Sequence, residues 1–119
     1  MRKDSNKIGQ KAEQLARQYL EQRNLKFIEA NFNCKLGEID LIMHDQQVLC
    51  FIEVRYRRNS QFGSAAESID LRKQQKLTRT AQTYLNMHNK NESPCRFDVI
   101  SIQGLLQEAD INWIKNAFQ

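Results

Sequence analysis

No apolar run in the 119-residue chain approaches the length a helix needs to cross a bilayer. Its first residues are basic and polar, with neither an apolar stretch nor a small-residue cleavage site, so no secretory signal is expected and the cytoplasm is the expected compartment. Cysteine is sparse: Cys34, Cys50 and Cys95 are odd in number and form no CxxC pair, which argues against a disulfide framework and predicts reduced core residues. The two histidines, His44 and His88, have no partner at ligand spacing, so a zinc site is not expected. Repeats, low-complexity tracts and inter-domain linkers are also missing. With 40% hydrophobic and 27% charged residues the chain reads as neither disordered nor membrane-spanning, and its length suits one domain over residues 1–119 with a core that needs no staples.

What is present centres on Gly37 to Arg58, GEIDLIMHDQQVLCFIEVRYRR. Two alternating runs flank the polar break His44 to Gln47, a pattern that predicts a β-hairpin. Tightened around Asp45 and Gln46, it would pair Met43 with Val48, Asp40 with Phe51 and Glu38 with Glu53. One face then carries Ile39, Leu41, Met43, Val48, Cys50, Ile52 and Val54. The other carries Glu38, Asp40, Ile42, Leu49, Phe51, Glu53 and Arg55, with every charge gathered at the end away from the turn. In this register Asp40 and Glu53 are diagonal neighbours, roughly 7 to 8 Å between their backbones, which lets two carboxylates converge on one ion. Hard divalent cations take oxygen ligands of this kind.

The net charge is +4, and its placement says more than its size. Arg55, Arg57 and Arg58 leave the charged strand, and Arg72, Lys73, Lys76 and Arg79 follow. Such clusters suit a polyanion, because neutralising phosphates releases counterions; a solvated basic face is the alternative.

Around the hairpin, Ile8, Ala12, Leu15, Ala16, Tyr19 and Leu20 recur at helical spacing over about 6–23, with Asp4, Ser5 or Asn6 as cap and Asn24 as a left-handed stop. Glu13 lies on the shoulder of that stripe, facing either a cleft or water. Leu25 to Ala30 reads as a strand and Asn31 to Leu36 as a connection that can carry an extra pairing. Asn59 to Glu67 reads as a loop, either a plain connector or a segment near substrate. Ser68 or Asp70 caps a second helix to about Asn86, with Gln74, Leu77, Ala81, Tyr84 and Leu85 on its stripe. Cys95 to Ile102 is a strand, and Ile111 to Phe118 is either a strand or a short helix. Trp113 and the tyrosines read as packing residues, with Tyr56 placed to stack on a base.

The spacing of Asp40, twelve residues, Glu53, one hydrophobe and Arg55 resembles the D…ExK pattern of the PD-(D/E)xK nuclease superfamily, with arginine in the lysine position. The element order resembles the αβββαβ core of the restriction-endonuclease-like fold, an α/β class with a mixed central sheet flanked by helices. The residues 9–13, 16–20, 31–34, 37–42, 53–58, 62–63, 70–77 including Lys73, 96–99 and 116–118, taken as an ordered set, resemble the bacterial YraN family, a group related to Holliday-junction-resolvase-like nucleases.

The resemblance implies that Asp40 and Glu53 hold Mg²⁺, with Mn²⁺ as a substitute, that Glu13 supports them from the first helix, and that Arg55 replaces the nuclease lysine. Lys73 and Gln74 would lie close by, and Arg57, Arg58, Arg72, Lys73, Gln74 and Lys76 would contact nucleic acid. The implied activity is hydrolysis of DNA phosphodiester bonds, branched DNA included, with a homodimer for paired cuts and no membrane partner. Because a guanidinium stays charged, Arg55 can orient and stabilise but cannot act as a base. The alternative is a catalytically silent module that binds nucleic acid or protein, in which the arginines simply neutralise the two acids.

Overall fold

Alternation of buried and exposed side chains builds a five-stranded sheet in the order β1-β2-β3-β4-β5. The computed structural model describes residues 2–59 and 69–118, with side chains from Lys7 onward. Most of the expected 59–67 loop and the alternative cap Ser68 lie outside the described residues. The elements run α1 (Arg2–Glu21), β1 (Lys26–Cys34), β2 (Gly37–Asp45), β3 (Val48–Arg57), α2 (Leu71–Met87), β4 (Cys95–Gln103), a short 3₁₀ turn (Leu106–Glu108) and β5 (Asp110–Phe118). The first three strands and the β4–β5 pair are antiparallel, whereas β3 and β4 are parallel and joined through α2. The sheet is therefore mixed and flanked by helices, the expected α/β architecture with one further strand at its edge.

Each helix covers one face. Ala12, Ala16 and Leu20, spaced four apart, are buried on Leu41, Met43, Cys50, Ile52, Ile100 and Ile102. Leu77, Ala81, Tyr84 and Leu85 of α2 bury Phe32, Ile39, Ile42, Leu49 and Phe51 on the opposite face. Tyr84 meets Phe32 and Phe51 edge-on, with ring centroids 5.2 and 5.8 Å away. At α2's start Asp70 caps the helix by accepting the Lys73 backbone N–H at 2.9 Å. Asn24, at φ +74°, turns the chain out of α1.

Several expectations change. The hairpin turns on Gln46–Gln47 and pairs Asp45 with Val48, Met43 with Cys50 and Ile42 with Phe51, two residues away from the register around Asp45–Gln46. Gln46 takes the positive φ, +57°, that a two-residue turn requires. A shift of two preserves which face each side chain occupies, with one exception. The β2–β3 ladder runs from Asp45 only to Leu41, and beyond it Ile39 packs under α2 while Leu41 packs under α1. The helix α1 also runs through Asp4, Ser5 and Asn6 instead of being capped there. Two readings left open are decided: the extra pairing after Ala30 is present, with residues 31–34 part of β1, and Ile111 to Phe118 lies within a strand. All three cysteines are free, but Cys95 is exposed and Cys34 half-buried, so only Cys50 is a core residue.

A polar cluster joins β4, β5 and the end of β2. Asp98 is 0% exposed. Both its oxygens accept from Arg96 Nε at 2.9 and 3.1 Å, and it also accepts from Trp113 Nε1 at 3.0 Å and the Asn116 backbone N–H at 2.9 Å. Arg96 Nη2 reaches Asp45 Oδ2 at 2.9 Å. The cluster sits at the irregularity in the β4–β5 register between Phe97 and Val99, so the carboxylate takes up donors that the broken ladder leaves behind. Trp113 is thereby a packing residue, as its surroundings in the sequence predict.

Candidate active site

The site forms where β2 parts from β3. With the ladder ended at Leu41, the Val54 backbone N–H donates to Asp40 Oδ2 at 2.8 Å. A side-chain oxygen thus takes the place of a strand carbonyl, and this pins the Asp40 carboxyl beside β3. Glu53, 7% exposed, faces α2. Its Oε2 accepts from Lys73 Nζ at 2.8 Å and from Arg55 Nη1 at 3.3 Å. Asp40 lies within reach of the Glu53 and Glu13 charges, and Asn31 approaches Glu13 from β1.

Crowded acids resist losing their protons. Burial first, then the neighbouring Glu53 charge, push the Asp40 carboxyl up to about 8, against the pull of the Val54 N–H. Burial also raises Glu13, offset in part by Asn31 and reinforced by the charge of Glu38. Beside the Glu53 charge Asp40 keeps its proton more readily than it adds a second negative charge, unless a cation lies between them.

Glu13, Asp40, Glu53, Arg55 and Lys73 are therefore brought together. Arg72, Lys73 and Lys76 line an adjoining cavity of about 280 Å³ with Glu38 and Gly37. Gly37 sits at φ +155°, and a Cβ there would meet Thr80 Oγ1 at 3.0 Å, so the glycine lets α2 approach the start of β2. Gln74 does not join the carboxylates, because its amide donates to the Ile69 carbonyl at 3.2 Å. Arg57 and Arg58 are exposed at the end of β3. His44 Nδ1 is buried without a partner and His88 packs on Tyr84 at 4.3 Å, both remote from the acids.

Asn31 and the Val54 N–H belong to the site although periodicity does not single them out. Asn31, at φ +55°, is an unusual strand residue whose only trace in the sequence is its position in a connection-like stretch. Among the described residues no group of three or more His, Cys, Asp and Glu side chains closes around one point. An ion at this place would draw its protein ligands from the Asp40–Glu53 pair. The donors fit such an ion: two neighbouring carboxyls, one of them reluctant to ionise, with Glu13 behind them. Mg²⁺ is commonly held by one or two carboxylates and keeps several waters.

The family model described as "Uncharacterised protein family UPF0102" matches residues 12–102, a span that includes Glu13, Asp40, Glu53, Arg55 and Lys73. The chain is similar to a "UPF0102 protein" of Stutzerimonas stutzeri, 47% identical over 98% of each chain. It is similar to another from Vibrio vulnificus, 48% identical over 92% of this chain and 90% of the relative. A third, from Nitrosococcus oceani, is 47% identical over 93% and 90%.

Proposed function

The chain belongs to UPF0102, the YraN family, and from that membership and the carboxylate geometry we propose that it is a divalent-metal-dependent endonuclease acting on DNA, branched DNA included. The observation that carries the reading is the Asp40 carboxyl, fixed by the Val54 N–H beside Glu53, with Arg55 and Lys73 both on Glu53 Oε2. Mg²⁺ or Mn²⁺ held by Asp40 and Glu53 would supply Lewis acidity and offset charge on a phosphodiester. Val54 fixes one oxygen of the Asp40 carboxyl, and Glu13 lies beside it with Asn31 next to Glu13. Arg55 keeps a fixed positive charge against the phosphate and takes no proton from the attacking water. Lys73, on a different element, adds a second positive charge, and Arg57, Arg58, Arg72 and Lys76 bind the flanking phosphates. Two cuts across a symmetric junction require two sites, which makes a homodimer the working assembly.

The test is cleavage of branched, single-stranded and duplex DNA by the purified protein with Mg²⁺ or Mn²⁺. Wild type cuts at least one of them and Asp40→Asn cuts none; equal specific rates in the two would expose a contaminant.

One observation favours a second reading, a silent binding module. Lys73 and Arg55 already neutralise Glu53 without any metal. That reading expects salt-sensitive DNA binding, no cleavage, and no heat on titration with Mg²⁺.

A further inference from the structure

We propose that the groove between α1 and the Leu106–Glu108 turn is a nucleobase site, which takes an unpaired base of the DNA strand engaged at the carboxylates. The inference rests on the nuclease reading. The groove encloses about 520 Å³ and is walled by Ile8, Leu105 and the ring of Tyr56. Ile8 is 47% exposed and Leu105 45%, so two large apolar side chains line a cleft that leaves them wet. Tyr56 is held rigid, because its hydroxyl donates to the Gly104 carbonyl at 2.8 Å. An apolar slot with one fixed aromatic wall suits a flat ring.

The polar lining narrows the class. Gln14 and Gln107 each offer a donor and an acceptor of the kind that reads a base edge, and Lys11 and Arg58 bring positive charge for the attached phosphates. Among the described residues none that lines the groove is acidic. A symmetric contact with a second copy would set these cations against one another, whereas a polyanion neutralises them.

Placement links the groove to the acids. Tyr56 and Arg58 follow Glu53 by three and five residues, about 10 and 16 Å at strand rise, and Tyr56 lies on the α1 face of the sheet, the face from which Glu13 approaches the acids. The groove lies on the α1 side of the sheet, and the Lys73 cavity lies on the α2 side. A base paired within a duplex has its pairing edge and both faces occupied, so the groove selects nucleotides already unpaired. The substrate class is thus DNA with single-stranded nucleotides beside the cut, as at a flap or an open branch.

The test is binding in EDTA to a blunt duplex and to the same duplex carrying a short single-stranded tail with 2-aminopurine. Wild type is expected to prefer the tailed duplex by about tenfold or more, with a change in probe fluorescence, the size expected of one stacked base. Ile8→Ser with Leu105→Ser should bring the ratio of the two affinities close to one, and Gln14→Ala, at an exposed helix position, should lower it. No preference in wild type, or one that the variants retain, overturns the inference. So does sedimentation showing a wild-type dimer that Ile8→Ser with Leu105→Ser dissociates, because the second copy then fills the groove. Cleavage of the same DNAs with Mg²⁺ separates the two ideas: preference without cleavage sinks the nuclease reading alone, and cleavage without preference sinks this inference alone.

Discussion

Asp98 and Asp40 are both aspartates drawn into the sheet, and their surroundings are opposite. Asp98 accepts from Arg96, Trp113 and the Asn116 backbone, so its charge is met on every side. Asp40 accepts one backbone N–H and otherwise faces two more acids. A carboxylate surrounded by donors holds strands together; one surrounded by carboxylates costs stability and waits for a cation. The first arrangement belongs to the fold and the second to a task the fold must accommodate.

The largest expected effect breaks the stabilising half. Asp98→Ala strands Arg96 and the Trp113 N–H, and should lower the unfolding free energy by about 3–5 kcal/mol in urea titrations. A loss below about 1 kcal/mol would remove the contrast between the two aspartates.

Asp40→Asn should move the other way. The folded pKa of Asp40 lies near 8, above its unfolded value. Its proton-bound form therefore favours the folded state fully below about pH 4, and that advantage is lost as pH climbs toward and through 8. Without metal, wild-type stability should fall between about pH 5 and pH 9, and the variant should fall less. At pH 8 the variant should gain on the order of 2 kcal/mol, about 8 °C in melting temperature, read by thermal scans across the pH series.

Metal sharpens the same contrast. Above pH 7 a saturating millimolar Mg²⁺ addition should raise the wild-type melting temperature by an amount equivalent to about 1 kcal/mol or more, and should leave Asp40→Asn within error. The smallest change concerns Lys73, whose side chain is 43% exposed. Lys73→Gln should cost less than about 1 kcal/mol. Removing that cation should also carry the Asp40 titration to higher pH, visible in carboxyl carbon NMR shifts.

Much of this architecture can be read from the residues themselves. Strong periodicity marks α1, α2 and β4, and alternation alone sets Asp40 and Glu53 at one end of a hairpin. The register error is harmless to that point, because a two-residue slip leaves faces unchanged. The turn escaped because Gln46 takes the positive φ without a glycine or asparagine to announce it. Ile39 crosses to the other face because β2 separates from β3, a tertiary event with no local pattern. Asp98 reads as one more alternating strand residue, since its donors come from Trp113 and Asn116, fifteen and eighteen residues onward. Glu13 and Asn31 meet only once α1 lies on β1.

The stitch at Asp98 also bears on how the protein tolerates shortening. A truncation or proteolytic nick ahead of Trp113 would strip two of the three donor groups from a carboxylate that no water reaches, although the cut itself falls on a strand at the sheet's margin. The final strand is thus a fastening and not a trimming, and an affinity tag belongs after Phe118.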